Sequence, residues 1–152
     1  MSTIENPQGA FKFLVSIQGV QVAEFEECIL PAVSIDVIEY RQGADTLNSV
    51  HKLPGLVRYG DLVLKRGIAA SPNSLALWNW FSGFVNGSGE PAAVAVTLLD
   101  RDKNEVCQWA FTNAWPVKYE SPVLNAKVSA LAIETVVIAV DGMSFTALSQ
   151  SP

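Results

Sequence analysis

Leu124-Asn125-Ala126-Lys127-Val128-Ser129-Ala130-Leu131-Ala132-Ile133-Glu134-Thr135-Val136-Val137-Ile138-Ala139-Val140 is the stretch on which the fold turns. From 124 to 132 the even positions are apolar, while Asn125, Lys127 and Ser129 are polar. That is the period-two pattern of a half-buried strand. From Leu131 onward both faces are mostly apolar. Two arrangements fit a long strand with one wet half and one dry half. It is either part of a sheet continued across copies of the chain, or a strand that bends between the two sheets of one sandwich. The apolar run contains Glu134 and Thr135 and is far short of a membrane span.

Working back from this strand, Ala92–Leu99 is almost wholly apolar, which predicts burial on both faces. The charged turn Asp100-Arg101-Asp102-Lys103-Asn104 joins it to Glu105–Thr112 as a β-hairpin. Upstream lies the single helix signal. Ser71 suits an N-cap and Pro72 the first turn. Leu75, Trp78 and Phe81, with Leu77 and Phe84, form one broad apolar face. Trp80 falls off that face, and Asn86-Gly87 ends the helix.

Before the helix, Leu62 and Leu64 alternate with Asp61 and Lys65 in a strand from Tyr59 to Arg66. Gln42 to Pro54 reads as a long polar loop, a length that in a compact domain goes with either function or disorder. Val33–Tyr40 and Phe11–Gln18 alternate as strands, and Val22–Cys28 is a less regular candidate. No linker or internal repeat divides the 152 residues. The reading is one domain, 1–152, with an ordered core of about 11–142, mainly β with one α-helix.

Only 16% of residues are charged, against about 25% in a typical domain. Such a shortage fits a surface partly covered by other copies. The net charge of −5 excludes a nucleic-acid binder of the usual basic kind but not a conduit that nucleic acid traverses. Met1 to Asn6 has neither a basic nor an apolar signal region. Cytoplasmic synthesis is therefore expected, with Cys28 and Cys107 reduced.

Chemistry finds little support. His51 is the only histidine and has no triad or metal spacing around it. The turn Asp100–Asn104 resembles half a calcium loop, but Glu105 and Phe111 stand where its Gly and bidentate Glu belong. Gly83, Gly87 and Gly89 follow a helix, whereas a phosphate cradle precedes one. Glu134, a carboxylate in an apolar strand, calls for a Lys or Arg partner in the chain or in a neighbouring subunit. Trp80 and Trp115 are candidates for contacts between subunits. No catalytic, metal or cofactor site is expected, and no small-molecule substrate.

Several segments together resemble the contractile-tail tube protein family. Lys52-Leu53-Pro54-Gly55, Tyr59-Gly60 and Leu62-Val63-Leu64-Lys65-Arg66-Gly67 are similar to its central signature, with Leu77-Trp78 following. Trp109-Ala110-Phe111-Thr112-Asn113-Ala114-Trp115-Pro116-Val117-Lys118-Tyr119 resembles the second. Leu124-Asn125-Ala126 and Ala132-Ile133-Glu134 resemble the third, and Asp141-Gly142 the ending. Tyr40-Arg41-Gln42-Gly43 fits the end of an early strand. Val128-Ser129-Ala130-Leu131 and Tyr119 depart from the family pattern.

The resemblance implies a β-sandwich or small β-barrel flanked by a helix, in hexameric rings stacked into a hollow tube. It implies a structural subunit of the inner tube of a contractile phage tail or phage-like injection system, driven through an envelope by a contracting sheath. Its partners would be itself, sheath, baseplate and tail-terminator or cap proteins, with DNA or protein cargo in the bore. Contacts between subunits or rings would fall to Tyr40, Arg41, Asp45, Asn48, His51, Leu53, Pro54, Trp80, Trp115 and Glu134. Asn125, Lys127 and Ser129 would face the lumen. The alternatives are a type VI secretion-type tube, a baseplate adaptor of the same fold, and a monomeric ligand-binding β-barrel.

Overall fold

The computed structural model describes residues 12–18, 20–22, 25–41, 43, 49–68, 75–127 and 132–148. Its strands are β1 (Lys12–Ile17), β2 (Val20–Val22), β3 (Phe25–Ile29), β4 (Val33–Tyr40), β5 (His51–Tyr59), β6 (Leu62–Gly67), β7 (Ala92–Leu99), β8 (Glu105–Glu120), β9 (Ile133–Ala139) and β10 (Gly142–Ala147), with helix α1 (Ala76–Val85) between β6 and β7. Eight strands pair in the order β2-β1-β7-β8-β9-β6-β3, with β10 also on β8. The sheet does not close: β2 and β3 end the order. Strands β4 and β5 form a separate two-stranded sheet.

The long strand β8 belongs to two layers. Its first part pairs with β7 and β10, and its last residues, from Trp115, pair with β9. Asn113, at φ 49°, and an irregularity between Pro116 and Lys118 turn the strand between them. The two layers, β2-β1-β7-β8-β10 and β8-β9-β6-β3, pack their inner faces together. Val15, Val94, Val96 and Phe111 from the first meet Leu62, Leu64, Val136 and Ile138 from the second in one buried cluster. At the corner between β9 and β10, a Cβ on Gly142 would lie 2.7 Å from Thr112 Oγ1, so any larger residue there would require the Thr112 side chain to move.

A strand that passes between the two layers is present, and it is β8; of the 124–140 segment, residues 124–127 lie outside any strand and 133–139 form β9. Residues 121–127 are outside any strand and Val123 to Lys127 are exposed. The Asn125 side chain accepts the Lys127 backbone N–H at 3.0 Å. This local turn competes with a sheet ladder and wins. Residues 128–131 lie outside the described residues.

Other boundaries shift for similar local reasons. The 22–28 candidate is two strands, β2 and β3. Strand β5 begins at His51, so the expected loop to Pro54 is shorter, and Gly60 and Asp61 separate β5 from β6. Strand β10 was not expected at all.

Helix α1 also departs from its expected face. Ser71 and Pro72 lie outside the described residues, and the helix starts at Ala76 with Leu75 at the N-cap and no side-chain cap. Leu77 is fully buried and Trp80 packs on the core, whereas Leu75 and Trp78 are exposed. At about 100° per residue, positions 80, 81 and 84 lie within about 60° of Leu77, and position 75 lies nearly opposite. The expected C-terminus is present. Gly87 takes φ 81°, its N–H donates to Phe84 O, and Ser88 N–H donates to Gly83 O, a Schellman cap.

Glu134 is 1% exposed and finds its cation inside the chain. Arg66 Nε donates to its Oε1 at 2.5 Å, and the Tyr119 hydroxyl donates to Oε2. The Arg66 guanidinium also sits 5.8 Å from the centre of the Phe25 ring. No neighbouring subunit is needed to neutralise this carboxylate, which corrects its assignment as a contact residue. Burial, then the hydrogen bond to Glu134, push the Tyr119 hydroxyl from 10.0 to about 12.

Removing one partner of a buried ion pair strands the other, at a cost of about 3–5 kcal/mol. Glu134→Ala is therefore expected to lower the urea-unfolding free energy by about that amount; a loss under about 1 kcal/mol would refute the account. Tyr119 has its raised value only when folded. The folded state thus keeps its proton while the unfolded chain ionises, and stability falls as pH rises from 10.0 toward 12. Tyr119→Phe should flatten the stability–pH curve in that window relative to the parent chain. Curves of equal slope would contradict it.

Candidate assembly interface

Strands β4 and β5 project as an arm from Pro31 and Gly60, whose N–H donates to Ala32 O at 2.8 Å. The β-branched alternation of Val33–Ile38 makes the strand, but no core covers it. Val33, Ile35 and Val37 share one face with Val57 and Pro54, by the register Ile35↔Val57 and Val37↔Pro54. On the other face Asp36 holds Arg58 through both carboxylate oxygens at 2.9 Å, near the base. Further out that face turns apolar with Ile38↔Leu53, and Tyr40↔His51 pair beyond them, their rings 5.2 Å apart. Val37 is 61% exposed and Leu56 69%.

A lone two-stranded hairpin is marginal in water, and its exposed apolar side chains make the arm a candidate contact surface. The irregularity between Ile35 and Val37 sets two residues of β5 against one of β4. Pro54 is placed beside it, where its missing N–H is tolerated.

Several expected contact residues come together on this arm. Tyr40, His51, Leu53 and Pro54 are exposed along its distal half, Tyr40 at the expected end of β4 and the other three in a strand where a loop was expected, and Arg41 follows β4. Asp45 and Asn48 lie outside the described residues. Val37, Leu56 and Val57 add to the same exposed surface and are not among the expected contacts, because alternation marks Val33–Tyr40 as a strand without indicating what covers it.

A second apolar surface surrounds α1. Helix rings lie along the last residues of β8: Trp78 and Phe81 against Tyr119, and Phe84 against Trp115 at 5.9 Å. Trp115 is 40% exposed and Trp78 43%. Trp80 is half-buried and turned to the core. Trp78 thus takes the surface place expected of Trp80. Asn125 and Lys127 stand in their exposed turn, apart from both surfaces, and Ser129 is outside the described residues.

The described residues offer little to chemistry. They contain no His, Cys, Asp and Glu group able to hold a metal ion. Asp100 Oδ1 accepts the N–H groups of Asp102 and Asn104, both at 2.9 Å, so the calcium-like sequence is a self-bonded hairpin tip. Burial pushes the Cys28 thiol up to about 11, which disfavours its nucleophilic thiolate at neutral pH. No described helix is long and apolar enough to cross a membrane.

This architecture matches known structures along nearly its whole length. The tube-terminating cap of the anti-feeding prophage aligns with a TM-score of 0.79 at 21% identity, covering 97% of this chain and 96% of that one. The sheath–tube complex of the PVC extracellular contractile injection system aligns at 0.77 and 22%, covering 90% and 89%. Hcp1 from Flavobacterium johnsoniae aligns at 0.52 and 18%, covering 88% and 93%. These likenesses establish a common fold. No curated protein matches the sequence. A family model, the T4-like virus tail tube protein gp19, matches residues 9–144. With the match spanning almost the whole sandwich and its arm, the chain belongs to the T4-like tail tube protein family.

Proposed function

We propose that this protein is the structural subunit of the inner tube of a contractile phage tail or phage-like contractile injection system, with no catalytic task. Family membership supplies the role, and the uncovered arm is the observation that carries the reading to the subunit. A hairpin that leaves Ile35, Val37 and Val57 uncovered on one face and Ile38 and Leu53 on the other calls for a surface to lie on, and a second copy of the chain supplies one. Such a contact joins two different patches, so it propagates into rings and stacks. Hexameric rings, closed around a bore, are the assembly this implies.

The sheath, baseplate and cap or terminator proteins would be the partners outside the tube, and DNA or protein cargo would pass within. The particle would be built from subunits made in the cytoplasm. A type VI secretion-type tube remains the second reading. The higher TM-scores to the extracellular injection particles than to Hcp1 favour the first.

Negative-stain microscopy of the concentrated full-length protein, alone and co-produced with its baseplate, should reveal rings or hollow tubes. A strict monomer under both conditions would overturn the reading. Leu56 lies open on the arm, so Leu56→Asp should leave monomer stability within about 0.5 kcal/mol of the parent. It should nevertheless abolish tubes. Normal tubes from that variant would show that the arm is not the joint.

A further inference from the structure

His51 is the only histidine of the chain. Imidazole is the side chain whose charge ordinarily changes between pH 5 and 8. This one stands at the outer end of the arm, where Tyr40↔His51 is the last paired position of β4 and β5. Alternation fixes what lies around it. Asp36, Ile38 and Tyr40 leave β4 on one face, and register sets Leu53 beside Ile38 and His51 beside Tyr40. The Tyr40 and His51 rings are 5.2 Å apart and inclined by 30°. Ile38, Tyr40, His51 and Leu53 are all exposed, so the outer half of this face is an apolar and aromatic patch with one titratable ring at its end.

The charged groups that register places near this ring are the arm's own, for β4 and β5 pair with no other described strand. Asp36 shares the face, but Arg58 holds both of its carboxylate oxygens near the base. Glu39 and Lys52 stand opposite one another on the other face, and Arg41 follows Tyr40. Asp45 lies outside the described residues. Among the described residues the end of the arm thus sets Arg41 and Lys52 against Glu39. A proton on His51 adds to an excess of positive charge.

We infer that His51 makes the joint between copies sensitive to acid: the arm seats on its neighbour with the imidazole neutral, and protonation opposes assembly. The inference rests on the tube reading above and on the arm as its joint. Covering the patch of Ile38, Leu53, Tyr40 and His51 takes water from the ring. A neutral imidazole beside the Tyr40 ring loses little by that. An imidazolium gives up the hydration of a full charge to an apolar contact, which costs far more. Arg41 and Lys52 repel the same charge. The assembled arm therefore binds fewer protons than the free one. Assembly is favoured above the range in which imidazole titrates and weakens as pH falls through it, at most about tenfold for each pH unit. Acid keeps the subunits apart, and a neutral medium lets the arm seat.

The test grows tubes of the full-length protein, on its baseplate where growth needs a nucleus, at about pH 7.5, 6.5 and 5.5 and fixed ionic strength. The tubes are pelleted and the subunit left in solution is measured. For the parent chain it should rise about tenfold from the highest to the lowest pH. His51→Gln should hold one low level throughout, and His51→Lys a high level at every pH. The urea midpoint of the free subunit should stay level across the series. A parent chain indifferent to pH would overturn the inference, as would a His51→Gln chain that loses tubes in acid as the parent does. So would tubes that tighten in acid, the result that the net charge of −5 dictates if the contact is wet and electrostatic. A urea midpoint that falls in step with assembly would overturn it too, since loss of fold then accounts for loss of tubes. Absence of tubes from the parent at every pH would instead sink the tube reading, and normal tubes from Leu56→Asp would remove the arm from the joint.

Discussion

Strand β8 must satisfy two sheets at once, and that constraint orders the rest of the molecule. One continuous backbone carries Phe111 into the core of the first layer and Pro116 into that of the second. A straight strand cannot do both, because the layers face each other. The left-handed Asn113 and the irregularity after Pro116 supply the turn. Asn tolerates that conformation better than most residues. Once β8 is bent, β7 can follow only its first part. The gap beside its last residues is filled by α1, whose Leu77 closes the core from that side. The placement of the helix follows from this single bend.

The buried triad is bound to the same stretch. Tyr119 comes from the end of β8, Glu134 from β9 and Arg66 from β6, so one carboxylate ties three strands of the second layer. An ion pair in this setting adds little net stability compared with apolar packing, but it makes misregister costly. A slip of one residue between β9 and its neighbours would bury Thr135 and strand Arg66.

Much of this could be read from the chain. Period-two runs located β1, β4 and β6, because β1 and β6 have one face in the core and β4 has the alternation a core would demand, while β7 showed as a short, almost wholly apolar run. The Asn86-Gly87 stop was legible because only glycine takes that cap conformation without strain. The helix face was misjudged because Leu75, Trp78 and Phe81 also fall at three-residue spacing, and hydrophobicity alone cannot say which of two overlapping stripes meets the core. The 124–132 alternation misled for another reason. It is a real pattern, yet Asn125 bonds locally, and among the described residues no strand pairs with 124–127 to reward extension. The arm was half legible: its residues were named as contacts, while its strand pairing, set by long-range register, was not. The low charge content hinted at covered surface without placing it.

The arm has a thermal consequence. Covering apolar surface is driven near room temperature by the release of water, and that drive weakens on cooling. An assembly that draws its cohesion from Val37, Leu56 and their neighbours carries a negative heat-capacity change on forming. Its joints tighten with warmth and loosen in the cold, the reverse of what hydrogen-bonded or ion-paired seams would do.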